Sequence, residues 1–115
     1  MDLVNKVYDA LKPIHELRNL PLSHLVRPTT LPGTSFHIFN TRPTLFGDGI
    51  AIRFASQCQV DVWSKNAEFG EIPEEIKRSM LKAGFMFMSD DMDIERNIGI
   101  YRKLLIFNIE YGAEV

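Results

Sequence analysis

The sequence predicts an α+β fold: a mainly antiparallel sheet with two long strands, an N-terminal helix and one central helix packed on one face. The first observation is a period of two over residues 50–63, with one face apolar and the other mostly polar, which is typical of a strand. The second is the helical spacing of apolar residues in two other segments. The third is that the remaining strands follow one another through short turns, which favours antiparallel pairing with the helices on one side.

The chain is predicted to begin with a helix over residues 2–12. Asp2 is a suitable N-cap, because its carboxylate can accept a hydrogen bond from a backbone N–H of the first turn. Pro13 disfavours helical backbone at the residue before it, so we expect the helix to end or kink there. A further short helical turn over Pro13 to Arg18 is compatible with the sequence.

Irregular chain and short strands are expected next. Residues 19–35 are punctuated by prolines and leave room for one short strand, Leu22 to Val26. Phe36 to Asn40 is predicted to form a second short strand. Residues 40–49 contain a proline and two glycines, so we expect a connection there.

The alternating segment, residues 50–63, is predicted to be the first long strand. At ~3.3 Å per residue it reaches about 46 Å. A compact domain of this length has a radius of gyration of about 13 Å, and therefore a diameter of about 35 Å. We expect the strand either to bend at a bulge or to project from the body as an arm.

The second half of the chain is predicted to supply one helix and two strands. After a polar loop over residues 64–70, Pro73 to Ala83 has the proline start, the acidic first turn and the following glycine of a helix. Phe85 to Ser89 is expected to be a short strand, and residues 90–97 a charged turn. Residues 98–111 form the last long strand, whose middle is apolar on both faces, as in a central strand.

Length and composition favour one folded domain over residues 1–115. The chain has 13 basic and 15 acidic residues, a net charge of −2, which argues against a dedicated nucleic-acid binder. Its apolar runs are far shorter than the ~20 residues of a membrane span, and its N-terminus lacks the pattern of a secretory leader. The lone cysteine, Cys58, cannot form an internal disulfide. We expect a protein of the reducing cytoplasm.

One acidic cluster is the strongest candidate for metal chemistry. Asp90, Asp91, Asp93 and Glu95 offer the carboxylates that divalent cations prefer. Their spacing is not that of a calcium loop, and Arg96 follows directly. We therefore favour a solvated turn over a metal site.

The other chemically reactive side chains are scattered. His15, His24 and His37 lie on three different predicted elements, and no pair has the spacing of a helical zinc motif. Cys58 lies on the apolar face of the long strand, where a cysteine behaves as a small hydrophobic residue. We predict no catalytic residue, no metal ligand and no cofactor.

Several residues are instead candidates for contacts with other chains. An exposed arginine and phenylalanine on a connection are typical interface anchors, although Phe46 can also fold back onto the core. Trp63 ends the long strand on its polar face, so it needs cover either from the helix that begins near Pro73 or from a partner. The predicted contact residues are Arg42, Phe46, Asp48, Trp63, Asp90, Asp91, Asp93 and Arg96.

The order of these elements resembles that of the tail terminator (tail completion) proteins of long-tailed bacteriophages and prophages. The resemblance is carried by Val60-Asp61-Val62-Trp63-Ser64-Lys65 at the end of a long strand, followed by a loop and a helix. A closing strand similar to the family's follows in Gly99-Ile100-Tyr101-Arg102-Lys103-Leu104-Leu105-Ile106-Phe107. The similarity extends from about residue 3 to residue 111.

This resemblance implies a non-enzymatic virion protein at the head–tail junction, made in the cytoplasm of the host bacterium. Such a protein forms a hexameric ring of identical copies on the end of the tail tube and offers a docking surface to the head connector or stopper protein. DNA passes through the ring without sequence-specific contact, and no membrane is involved. Overlong strands agree with this expectation, because exposed strand edges invite pairing with a neighbour.

Three alternatives stay open. The first is another neck component, a head-completion or stopper protein, which is also small and ring-forming. The second is a small metal-dependent hydrolase that uses the acidic cluster and a histidine. The third is a nucleic-acid-binding module, which the net charge of −2 disfavours.

Overall fold

A five-stranded sheet with the strand order β1-β2-β3-β5-β4 forms the frame of the protein. The computed structural model describes residues 2–95 and 98–112. β1 is parallel to β2, and every other neighbouring pair is antiparallel. The predicted α+β fold is therefore confirmed. In chain order the described elements are α1 (Leu3–Arg18), β1 (Leu22–His24), β2 (Gly33–Gly47), β3 (Ile50–Ser64), α2 (Ile72–Lys82), β4 (Met86–Glu95) and β5 (Ile100–Gly112).

Helix α1 begins as predicted but does not end at the proline. The carboxylate of Asp2 accepts a hydrogen bond from the backbone N–H of Asn5 at 3.1 Å. Pro13 lies inside the helix, so the end expected at this position was wrong, and Pro13 to Arg18 continue the helix. The proline faces solvent, while Ile14 and His15 beyond it are buried on the core side. Burial of this last turn offsets the ~3 kcal/mol that an interior proline costs a helix.

Both helices pack on the same face of the sheet. The register aligns Phe36, Val60 and Leu105 across three adjacent strands, and all three side chains are buried. Val7 of α1 and Ile76 of α2 are fully buried against this row. The buried core cluster comprises Leu3, Val7, Leu11, Ile14, Phe36, Cys58, Val60, Val62, Ile76, Met80, Phe85, Leu105, Phe107 and Ile109.

Strand β2 is much longer than predicted. Residues 40–49, expected to be a connection, continue the strand to Gly47 and turn directly into β3. The turn is Asp48-Gly49, whose φ angles of 52° and 78° are those of a two-residue hairpin turn that favours this dipeptide. Pro43 is tolerated because β1 pairs only with Thr34 to Phe36, which leaves this part of β2 at a sheet edge with register shifts.

Strand β4 also exceeds its predicted length. The segment expected to be a charged turn is strand up to Glu95. The acidic run disfavours a strand in isolation, which is why a turn was predicted. Here Arg102 and Lys103 of β5 lie opposite this segment and supply the opposite charge. At the other edge, β1 ends at His24 and is shorter than the predicted Leu22 to Val26.

The hairpin of β2 and β3 projects from the body as an arm, which we define as residues 40–54. The principal extents of the protein are 52 × 29 × 21 Å, and its radius of gyration is 15.4 Å. A compact chain of this length would have a radius of about 13 Å. Of the two outcomes expected for the long strand, projection is therefore confirmed, and β2 bulges beside it. None of the helices in the described residues is long and apolar enough to cross a membrane.

A buried histidine ties α1 to β2. Nδ1 of His15 lies 2.8 Å from the carbonyl oxygen of Leu11, and Nε2 lies 2.7 Å from the hydroxyl oxygen of Thr34. A carbonyl only accepts, so Nδ1 carries the proton and Nε2 accepts from the Thr34 hydroxyl. Burial lowers the pKa of His15, although the bond to Leu11 opposes this shift. The neutral imidazole is therefore the form that the fold prefers.

This preference predicts a pH dependence of stability. Because the pKa of His15 is lower in the folded state, the neutral ring contributes to the stability of the fold. This contribution is complete above the unfolded-state pKa of about 6.5 and is lost as the pH falls through the folded-state pKa. We expect the free energy of urea unfolding to fall more for the wild type than for His15→Asn between about pH 7 and about pH 5. Burial raises the pKa of Asp61, whose contribution is lost as the pH rises, but this effect is common to both proteins and cancels in the difference. Equal pH slopes would contradict the assignment.

Candidate functional site

Three of the predicted contact residues lie on the arm. Arg42 is exposed and donates to the carbonyl oxygen of Asn40 at 3.2 Å. Phe46 is 59% exposed, so it does not fold back onto the core. Asp48 occupies the hairpin turn at the tip. The structure thus brings these three residues together on one projection.

The arm carries apolar side chains beyond the layer of helices. Along β3, Val60, Cys58 and Ser56 of the alternating series are fully buried. The Oγ of Ser56 lies 2.9 Å from the hydroxyl oxygen of Tyr111. The next member, Phe54, is half-buried, and the last two, Ile52 and Ile50, are 43% and 67% exposed. The apolar pattern of the strand is therefore longer than the body that covers it. The exposed apolar residues of the arm are Leu45, Phe46, Ile50 and Ile52.

The acidic residues of β4 are separated by the strand geometry. Neighbouring residues of a strand point to opposite faces. Asp90 contacts Lys77 of α2 at 3.4 Å, whereas Asp93 contacts Arg102 at 2.9 Å. Within residues 2–95 and 98–112, no group of three or more histidine, cysteine and acidic residues is placed to hold a metal ion. Asp90, Asp93 and Glu95 thus form separate ion pairs along an exposed edge strand, and Asp91 forms none among the described residues.

Trp63 is covered, but not by the helix suggested from the sequence. It lies on the face of the sheet opposite the helices, and its indole N–H donates to the Ser35 hydroxyl oxygen at 2.8 Å. The guanidinium groups of Arg27 and Arg102 lie over the ring, at 5.5 Å and 5.3 Å from its centroid. Only 7% of Trp63 is exposed, so a partner at this position would meet the two arginines first.

Two ion pairs hold these arginines. Arg102 binds Asp93, and Arg27 binds Glu95 at 3.3 Å. Sequence reasoning missed Arg27, because nothing in the proline-rich segment indicates that it returns to the sheet. Arg96, the remaining predicted contact residue, lies outside the described residues.

The two groups of predicted contact residues lie at opposite ends of β3. Trp63 is thirteen residues along the strand from Ile50 at the arm tip, a separation of about 43 Å at strand rise. β4 begins opposite Asn108 near the middle of the sheet and runs away from the arm to Glu95. The arm and β4 are therefore two separate surfaces of the molecule.

Two of the reactive side chains, Cys58 and His15, are buried inside the fold. Burial, reinforced by the charge of Asp61, raises the pKa of the Cys58 thiol to about 12, so the thiolate nucleophile is not populated. His15 has both ring nitrogens in hydrogen bonds. An open cavity of about 480 Å³ lies beside α1, but its walls are mostly solvent-facing residues of that helix, including Asn5, Asp9 and Lys12.

No protein-family model matches the chain, and no curated protein matches it in sequence. The fold is similar to that of a solved structure, a chain described as "Virion of native gene transfer agent (GTA) particle". The two chains are 15% identical with a TM-score of 0.61, and the match covers 93% of this chain and 92% of that chain. At this level of identity, the similarity shows a shared fold.

The cover of Trp63 predicts a stabilising role. We expect Trp63→Phe to lower the free energy of unfolding by about 1–3 kcal/mol, because it removes the bond to Ser35 and weakens the contacts with the arginines. Urea unfolding followed by circular dichroism measures this. Leu17→Ala is a suitable control, because Leu17 is 82% exposed and should change stability by less than about 0.5 kcal/mol. Wild-type stability in Trp63→Phe would contradict the role.

Proposed function

We propose that this chain is a non-enzymatic structural protein of a phage-like virion, specifically a ring-forming tail terminator. It caps the tail tube and joins it to the head connector or stopper protein. The observation that carries the proposal is the fold similarity to a chain of a gene transfer agent virion over 93% of this chain and 92% of the other. The order of elements from β3 to β5, which resembles that of tail terminators, supports the specific role.

The exposed arm supports a function in assembly. Its apolar side chains gain from being covered, because the removal of apolar surface from water is favourable. The body of the same chain does not cover Ile50 or Phe46. A ring of identical copies offers a neighbouring surface to every arm in turn. We propose six copies, in line with the tail terminator family.

The net charge of the chain supports a ring through which DNA passes without being tightly bound. Proteins that bind DNA tightly carry a basic footprint that neutralises phosphates. This chain has a net charge of −2, and the basic residues beside β4 are paired with its carboxylates. We propose that DNA passes through the ring without sequence-specific contact. The protein would be made in the host bacterial cytoplasm and reside at the head–tail junction of the virion.

Another neck protein, a head-completion or stopper protein, is the second candidate. The structural neighbour is described as part of a virion particle, and that description specifies no position within it. The same fold similarity therefore supports both roles. They differ in whether the ring meets the tail tube or the head.

Binding to purified assemblies tests the proposed function. We expect the protein to cosediment with tail tubes of its own particle, to appear at one end of each tube in electron micrographs, and to stop further tube polymerisation. DNA-filled heads that lack tails serve as the comparison. Binding to heads alone would favour the other neck proteins, and binding to neither assembly would refute both roles.

A further inference from the structure

We propose that the arm of one copy docks on strand β4 of the next copy, so that the protein assembles head to tail through two different surfaces. This inference rests on the proposed ring and names the contact that builds it. The contact joins apolar side chains of the arm to apolar side chains of β4. Opposite charges set the pairing.

The arm supplies one half of the contact. Phe46 and Ile50 are 59% and 67% exposed at its tip, with Leu45 and Ile52 behind them. In this region β2 contains Pro43 and three register shifts against β3, an irregular backbone that disfavours strand addition at its outer edge. The arm therefore docks through its side chains and not by continuing a sheet.

Strand β4 supplies the other half. Met88 and Met92 are 52% and 53% exposed, with Met86 and Ile94 also exposed on the same strand. Methionine side chains adapt to irregular partners and are frequent at such surfaces. In the described residues β4 pairs only with β5, so its outer side is open to a partner. Other exposed apolar residues form smaller groups: Leu17 and Leu81 stand singly on the helices, and Leu25 and Val26 form a pair that follows β1.

The charges indicate that the arm contacts β4 of a second copy and not the arm of that copy. The arm carries Arg42 and Arg53 against the single acid Asp48, so two arms carry like charge. β4 carries acidic residues, of which Asp91 makes no ion pair among the described residues. Opposite charges across an interface fix its register and disfavour other pairings.

The separation of the two surfaces excludes closure within one chain. β4 runs away from the arm. At about 3.3 Å per residue, Ile50 at the arm tip lies about 43 Å along β3 from Trp63, and β4 ends near the level of Trp63. Each copy therefore offers an arm to one neighbour and β4 to another. Contacts of this type close into a ring when the rotation between copies allows it.

A mixing experiment tests the inference. The arm variant is Ile50→Asp with Ile52→Asp, the β4 variant is Met88→Asp with Met92→Asp, and Leu17→Asp is the control. All five positions are exposed, so each variant should keep the melting temperature of the wild type. Masses are measured by light scattering at about 100 µM, where an interface of micromolar affinity is filled.

We expect the wild type and Leu17→Asp to assemble, and each double variant alone to stay monomeric. An equimolar mixture of the two double variants should form heterodimers and nothing larger, because one intact arm then meets one intact β4. Arm-to-arm docking would instead let the β4 variant assemble alone. That result, or a mixture that stays monomeric, overturns the inference.

Failure of the inference and failure of the proposed function give different results. If the wild type assembles and the arm variant assembles equally well, the arm is not the contact, while the proposed ring stands. If the wild type is monomeric at about 100 µM, the inference is overturned, whether or not the protein binds tail tubes. The tail terminator role is decided separately by binding to tail tubes.

Discussion

Strand β3 is the element on which the rest of the structure depends. It is paired along its inner length with β2 on one side and β5 on the other, and both helices pack over the face that contains Val60. Its fifteen residues are longer than the layer of helices is wide. The core therefore occupies only the inner part of the strand, and the outer part projects with β2 as the arm.

The same length separates two kinds of chemistry. At the inner end, Trp63 is enclosed by Ser35 and two arginines. Both arginines form ion pairs with carboxylates of β4. At the outer end, Ile50 and Phe46 have no cover from their own chain in the described residues. The side chains at the inner end are covered by their own chain and those at the outer end are not, which supports the assembly proposed above.

Most elements were predictable from local pattern, and the errors have identifiable causes. The helix end expected at Pro13 was wrong because burial of Ile14 and His15 outweighs the cost of the proline. The connection over residues 40–49 was wrong because an edge strand tolerates a proline that a central strand excludes. Of the candidate contacts, Arg42, Phe46 and Asp48 were placed together by the hairpin, whereas the cover of Trp63 depended on Arg27, which no local signal connects to it.

The sequence by itself determined the α+β class, the long strand and both helices, because hydrophobic periodicity depends on neighbouring residues. Only the tertiary structure decided which apolar residues are core. Val60 and Ile50 belong to the same alternating series, yet one is fully buried and the other is 67% exposed. Burial depends on where the covering layer ends, and that limit is set by the packing of α1 and α2, which are formed by other segments of the chain.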